Sequence, residues 1–289
     1  MFANLHMHST FSDGQYTPDE LCALAVKQGH KAIALTDHDT CKGSYFMHRA
    51  ARKHGLLCLT GTEFDADGFG THFHIVGLDF DTNNNKITEL FQKTSSRELI
   101  RTKILFDRSK ENGWLKDKDI TWEDVVARYP HNDYLCNNQI FVTLLEKGLA
   151  TQEQYMDFFP DFGWREEREA ELAPIINRPM PTVEETIDAI NDAGGVAILA
   201  HPHEQLQYIP ELVKLGLKGV EINHSMLTEE EKTLLPGIAD KYNLYKSGGT
   251  DHEGVLGGLT HFGGHFIIAD DVGVINEELF MEIYNRVKG

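Results

Sequence analysis

Histidine and carboxylate recur in this chain at the ends of short apolar runs. Near the N-terminus, Asn4-Leu-His-Met-His8 sets two imidazoles two residues apart. An extended backbone there puts His6 and His8 on one face and Leu5 and Met7 on the other. Asp13-Gly14 follows in a turn-rich segment, and His38 stands in Ile33-Ala-Leu-Thr-Asp-His-Asp39. Glu63 follows Leu59-Thr-Gly-Thr62, His74 lies in Phe73-His-Ile-Val-Gly77, and His201 ends Ile198-Leu-Ala-His-Pro202. Asp251, His252 and Glu253 come after Ser247-Gly-Gly-Thr250. One His-x-His can arise by chance; apolar strands that repeatedly end in His, Asp or Glu are how a parallel barrel presents ligands at its C-terminal rim. Imidazole and carboxylate together suit Zn, Mn or Fe, so a multinuclear metal centre is the expected chemistry.

The elements that must position these groups alternate between strand and helix. Thr17 reads as an N-cap, with Pro18 at the first helical position and Glu20 closing a capping box. That helix carries Leu21, Leu24 and Ala25 and ends at Gly29; a strand over His30–Leu35 follows. A second helix is expected over Thr40–Lys53, stopped near Gly55, then strands at Leu56–Leu59 and Thr71–Leu78. Helices between short apolar strands predict parallel pairing. From Asp81 to about Ala173 no buried-strand pattern occurs. Asn83-Asn-Asn85 marks the boundary, and Leu90, Phe91, Leu99, Ile100, Ile104 and Leu105 are spaced for helices. Thr121 opens another helix, and Leu144, Leu145 and Leu149 line a further one. Alternation resumes at Pro181-Thr182, with strands at Val196–Ala200, Gly219–Ile222 and Leu244–Ser247, an edge strand at His265–Ile268 and a helix over Asn276–Val287. The reading is an α/β barrel domain from residues 1–82 and 175–289, with a helical insertion, 83–174, packed over its mouth and placed to select substrate.

Bulk properties narrow the function classes. A chain of 289 residues is long enough for one large barrel or one domain plus an insertion. No run approaches the roughly 20 apolar residues of a membrane span, and no basic, then apolar leader opens the chain, so a cytoplasmic protein is expected. Cys22, Cys41, Cys58 and Cys136 are scattered, as for reduced thiols in a core. The net charge of −18 argues against long nucleic acid as partner. Bound cations would offset that charge locally and draw a small anionic substrate to the mouth. Oligomeric state is not legible.

The motifs His6-x-His8, Asp13-Gly14, Thr36-Asp-His38-Asp39, Gly61-Thr-Glu63, His74-Ile-Val-Gly77 and Ala200-His201-Pro202 closely resemble those of the PHP (polymerase and histidinol phosphatase) family, in family order and spacing over residues 1–80 and 181–255. The resemblance implies a distorted, TIM-like (β/α)7 barrel, two or three divalent metals (Mn, Zn or Fe) and phosphoester hydrolysis. One metal would take His6, His8, Glu63 and Asp251; a second would share Glu63 and add His74 and His201; a third would use Asp13 and His38. Glu63, Asp251 and His201 then act in catalysis through the water between the cations. A bridging carboxylate sets two cations about 3.5–4 Å apart, and such a water loses a proton near neutral pH and attacks phosphorus in line, without a protein nucleophile. The insertion after His74 resembles that of the subgroup acting on nucleoside monophosphates or 3′,5′-bisphosphates. No polymerase segment is attached, so the polymerase-associated role is not expected. The alternatives are histidinol-phosphate phosphatase, or a catalytically impaired module that senses nucleotides.

The family's usual Gly-Ser-Asp-x-His-Gly reads here Gly249-Thr-Asp-His-Glu-Gly254, with Glu253 in the place of the metal-binding His. Glu253 ligates instead, or His252 swings in through an altered loop, or the third site is weak or lost. Asp37 and Asp39 are expected to orient imidazole or cap the next helix, and His203 to stand at the rim. His72 stays outside the motif positions, and His224 and His261 have no assigned role. His30, His48 and His54 are expected on solvated surfaces. Arg97, Arg101, Lys103, Arg108, Arg128, Arg165 and Arg168 are the insertion's candidates for a phosphate clamp. Related insertions often carry an Arg-Pro-His segment near the second helix; here Asn132-Asp-Tyr-Leu-Cys-Asn-Asn138 stands in its place.

Overall fold

A computed structural model of the chain describes residues 2–256 and 273–288; the expected edge strand at His265–Ile268, and His261, lie outside them. Seven strands form one sheet in chain order: β1 (Ala3–Asn4), β2 (Ala32–Leu35), β3 (Leu57–Gly68), β4 (Thr71–Leu78), β5 (Val196–Leu199), β6 (Gly219–Asn223) and β7 (Tyr245–Gly248). The two edges meet. Leu5 N–H donates to the Gly248 carbonyl (3.2 Å), Asp251 N–H to that of His6 (2.9 Å) and His8 N–H to that of His252 (3.0 Å), curling the sheet into the expected barrel. Gly249 sits on this seam: a Cβ there would lie 2.0 Å from the His6 Cβ, so only glycine lets the strands approach.

The helices α1 (Pro18–Lys27), α2 (Ser44–His54), α8 (Val183–Asp192), α9 (Ile209–Lys214), α10 (Glu229–Tyr242) and α11 (Glu277–Lys288) belong to the barrel, while α3 (Asn85–Asn112), α4 (Trp122–Arg128), α5 (Asn137–Glu146), α6 (Tyr155–Phe158) and α7 (Glu166–Ile176) make up the stretch between β4 and α8. Capping boxes at Thr17, Thr121 and Thr182 start α1, α4 and α8 where the sequence places them. The helical stretch has its own buried cluster, including Leu105, Phe141, Phe158 and Leu172. Its first helix joins the two bodies. Ile87, Leu90 and Phe91 of α3 pack in the barrel cluster, and Leu105 and Phe106 in the other.

Four expectations change. The third strand is twelve residues long, not four, because Phe64 and Ala66 alternate inward while Asp65 and Asp67 face the other way. Charged alternation hides such a strand from an apolar-run criterion. Its partner β4 pairs antiparallel with both β3 and β5, so pairing is not parallel throughout. The reversal is made by Phe69 and Gly70, both at positive φ (52° and 79°), as a two-residue hairpin of primed type requires. Helix α2 starts at Ser44 rather than Thr40. The Thr40 hydroxyl instead donates to Asp133 (2.9 Å) and accepts the Lys42 N–H, tying the loop to the helical stretch. Nor are the three outlying histidines solvated. His30 is buried, and His48 and His54 are half-buried against Thr60 (3.0 Å) and Asp19 (3.1 Å). The cysteines are free, and among the described residues no helix is long and apolar enough to cross a membrane.

Gly249→Ala is expected to destabilise the fold by about 1–3 kcal/mol, the range for forcing extra volume into a packed site. Denaturant unfolding of the variant beside the parent measures this, and equal midpoints would contradict the seam.

Candidate metal centre

Because β4 runs against its neighbours, its N-terminal half comes to the rim reached by the C-terminal ends of β1, β2 and β5. His74 of β4 thereby meets His6 and His8 beyond β1, His38 beyond β2 and His201 beyond β5 around Glu63 of β3. Each oxygen of the fully buried Glu63 faces its own set of imidazoles. Its Oε2 lies 3.0 Å from His6 Nε2, 3.2 Å from His8 Nε2 and 3.5 Å from His38 Nε2. Its Oε1 lies 3.0 Å from both His74 Nδ1 and His201 Nε2. Asp251 adds Oδ1 at 2.9 Å from His8 Nε2 and 3.4 Å from His6 Nε2. Asp13 adds Oδ1 at 3.3 Å from His8 Nδ1 and Oδ2 at 3.7 Å from His38 Nε2.

Five groups of donors among the described residues thus have ligand atoms within 4.8 Å of one another: His6, His8, Glu63 and Asp251; Glu63, His74 and His201; His8, Asp13 and His38; His6, Glu221 and His224; and Asp65, His72 and His74. The residues fit divalent cations on their own evidence. His6 Nε2, His8 Nδ1 and Glu63 Oε2 are buried without a hydrogen-bond partner, which ordinary interiors do not tolerate. Cations would engage these atoms, the carboxylate as it stands and an imidazole through a nitrogen freed of its proton. Burial opposes charge on His6, yet Glu63, Glu221 and Asp251 hold its imidazole well above its usual range. His8 and His38 are raised well above theirs too, against burial, by Asp13 first and then by their other carboxylate neighbours. Glu63 stays well below the ordinary carboxylate range despite burial, held by His6, His74 and His38.

Two carboxylates that sequence reasoning missed brace this cluster from outside. Glu221, fully buried in β6, accepts from His6 Nδ1 (2.9 Å) and from the His201 backbone N–H (2.7 Å). The second bond holds His201 at φ +26°, a conformation with no local excuse in its side chain. Asp65 lies 3.5 Å from His38 Nδ1 and 3.3 Å from His74 Nε2, the nitrogens turned away from Glu63. Glu221 lies inside the expected strand Gly219–Ile222, where no motif marked it. His224 also joins the group with His6 and Glu221; burial lowers its imidazole to about 4.

Elsewhere the placements divide. Among the described residues neither His252 nor Glu253 enters any of these groups. His252 is buried with its ring stacked on Tyr16, centroids 5.5 Å apart. Glu253 lines the cleft wall, its carboxyl raised well above the usual range by burial and by Asp13 and Asp251. Asp37 neither orients an imidazole nor caps a helix; it accepts from Ser9 N–H (2.7 Å), Ser9 Oγ (2.8 Å) and Ser12 Oγ (2.7 Å), fixing the loop before Asp13. Asn132 and Asn138 hold the same loop from above, donating to the Thr10 carbonyl (2.8 Å) and the Asp13 carbonyl (2.7 Å). His203 pairs with Glu231 (3.0 Å), whose carboxylate also accepts the Glu204 N–H and caps α10. Of the clamp candidates, Arg101 is gripped by Glu169 (2.7 Å) and Glu98 (3.3 Å), Arg108 by Glu171 (2.9 Å) and Arg128 by Glu146 (2.6 Å).

A seven-stranded barrel with His and carboxylate donors gathered at one rim is the scaffold of a metal-dependent hydrolase. The PHP domain model matches residues 4–147. A 5′-3′ exoribonuclease of Haemophilus influenzae is 30% identical over 268 residues, 86% of this chain and 88% of that protein. A phosphoribosyl 1,2-cyclic phosphate 1,2-diphosphodiesterase of Eggerthella lenta is 27% identical over 272 residues, 91% and 98% of the two chains. A 3′,5′-nucleoside bisphosphate phosphatase of Chromobacterium violaceum is 25% identical over 256 residues, 86% of each. Among solved structures, a candidate metal-dependent phosphoesterase from Bifidobacterium adolescentis superposes with a TM-score of 0.78 at 26% identity, covering 99% of this chain and 96% of that one. The chain belongs to the PHP domain family. It is a metal-dependent phosphoesterase.

Glu221→Gln keeps the shape but removes the charge that steadies His6 and the His201 backbone. Metal affinity is expected to fall about 10–100-fold, the range for lost outer carboxylates, as read by competition with a chelating dye; unchanged affinity would deny Glu221 that role. The capping carboxyl of Glu231 is depressed to about 2. Its stabilisation is therefore complete above the ordinary value of about 4.5 and is lost as pH falls toward about 2. Acid unfolding of Glu231→Gln should show a shallower loss over that window than the parent, and parallel curves would count against the cap.

Proposed function

We propose that this chain hydrolyses a phosphomonoester of a nucleotide, AMP or a nucleoside 3′,5′-bisphosphate, using two or three divalent cations (Mn, Zn or Fe). One observation carries the reading: the buried Glu63 carboxylate turns its two oxygens to separate imidazole sets, His6, His8 and His38 on one side and His74 and His201 on the other. His6, His8, Glu63 and Asp251 would hold one cation, Glu63, His74 and His201 a second, and Asp13 and His38 with His8 a third. When bound, such cations acidify water and offset charge on a phosphoryl group. The chain's own part is orientation. Glu221 and Asp65 steady imidazoles from outside, and Asp37, Asn132 and Asn138 keep the Asp13 loop in place. A cleft of about 1020 Å³ opens beside Asp13, His38, His74 and Glu253 and runs under the helical stretch, large enough for a nucleotide. The Chromobacterium relative, named for a nucleoside bisphosphate, supports this substrate class.

A second reading is favoured by the Haemophilus relative, an exoribonuclease: the terminal nucleotide of an RNA enters the same cleft. The net charge of −18 disfavours a long bound track but not a threaded end. Manganese-loaded protein assayed on AMP, adenosine 3′,5′-bisphosphate, a 5′-phosphorylated oligoribonucleotide and histidinol phosphate separates the readings. Turnover of the two nucleotides is expected, lost on the order of a thousandfold or more after chelation. Release of mononucleotides from the oligomer at a higher kcat/KM would favour the exonuclease reading. Turnover of histidinol phosphate alone, or tight nucleotide binding without turnover by metal-replete protein, would overturn the proposal.

A further inference from the structure

The helical wall of the cleft differs from its metal wall in what it offers a ligand. Two of the three tryptophans in the chain are structural. Trp114 packs on Phe141 and Phe158 and takes Lys118 over its ring (4.3 Å), while Trp122 packs on Phe106. Trp164 instead lines the cleft and is 72% exposed, the highest value among the large apolar side chains of the described residues. The backbone leading into it is held firmly. Arg101 donates to the Phe162 carbonyl (2.9 Å), and Arg168 donates to those of Gly163 (2.7 Å) and Pro160 (2.7 Å). Two guanidinium groups thus fix three of the four residues before an indole that is left open to solvent at a cleft mouth.

Charge on that wall is allotted just as unevenly. Arg97 and Arg101 are the arginines lining the cleft among the described residues, beside His38 and His72, whose imidazoles face carboxylates. Arg101 is neutralised by Glu98 and Glu169. Arg97 donates one N–H to the Arg178 carbonyl (3.0 Å), and among the described residues no carboxylate pairs with it. Its remaining donors suit a phosphate oxygen. In a cleft that also bears Asp13, Asp65, Glu98, Glu166 and Glu253, an unneutralised guanidinium is the feature that favours a second anionic group away from the metal donors.

We propose that Trp164 is the platform on which the base of a nucleotide stacks, and that Arg97 binds the phosphate that is not hydrolysed. The substrate class this defines is a base-bearing nucleotide with two phosphates. The inference rests on the nucleotide phosphoesterase reading and names how the same cleft tells its substrates apart. Stacking on an aromatic face accepts any base, so purine and pyrimidine nucleotides are both substrates.

Three substrates, adenosine 3′,5′-bisphosphate, AMP and ribose 5-phosphate, are compared on metal-loaded wild-type protein and on Trp164→Ala, Trp164→Phe and Arg97→Ala, with kcat and KM separated. Quenching of tryptophan fluorescence by the bisphosphate reports binding without turnover. Trp164→Ala is expected to raise KM about tenfold for both nucleotides, leave ribose 5-phosphate and kcat unchanged, and abolish the quenching; Trp164→Phe restores most of the affinity. Arg97→Ala is expected to raise KM for the bisphosphate and not for AMP. Nucleotide turnover with equal KM in wild type and Trp164→Ala sinks the platform while leaving the nucleotide reading intact. A wild-type protein that hydrolyses ribose 5-phosphate but neither binds nor hydrolyses a nucleotide sinks both.

Discussion

A carboxylate buried without any contact with water must find compensating positive charge, and Glu63 is that carboxylate in this fold. Five imidazoles, from segments as far apart as residues 6 and 201, converge on its two oxygens. The desolvation cost of an ionised group in such a place is several kcal/mol, so the surrounding donors cannot be arranged loosely. Much of the barrel's local irregularity follows from meeting this demand. Strand β3 continues past the length of its parallel neighbours to carry Glu63 inside the sheet, and β4 reverses so that His74 reaches the same rim.

The donors in turn need holding, and the fold supplies this in two directions. From the barrel side, Glu221 grips His6 through its ring and His201 through its backbone, and Asp65 stands behind the outer nitrogens of His38 and His74. Each carboxylate therefore couples two segments of the donor cluster. From above, Asn132 and Asn138 bind the backbone of the loop bearing Asp13, which Asp37 fixes from below. The helical stretch between β4 and α8 is thus more than a cover. It completes the wall of the donor cluster, and α3 packs into both hydrophobic bodies.

The same stretch contributes a surface of different character to the cleft. Its acidic side chains neutralise Arg101, Arg108 and Arg128, and its aromatic residues are largely consumed in its own core. What remains toward the cleft is sparse, an open indole and one guanidinium, which suits recognition by a few contacts more than by a broad charged track. This agrees with the strongly acidic surface of the whole chain, which disfavours extended polyanions.

The amino-acid sequence by itself determined the barrel class and where most donors stand, because an apolar run ending in His or Asp leaves a local trace. His6, His8, His38, His201 and Asp251 stand at such run ends, and Thr17, Thr121 and Thr182 mark helix starts that the fold keeps. The tertiary structure alone decided the rest. The long β3 and the antiparallel β4 were hidden by Asp65 and Asp67, whose charges break the apolar pattern of a strand satisfied by pairing. Glu221 and Asp65 carry no motif, since their role lies in which imidazole stands across the barrel from them. The burial of His30 likewise depends on its neighbours in space. Chemistry written along the chain is legible from residue type and spacing; chemistry made by contact between distant segments exists only once the chain has folded.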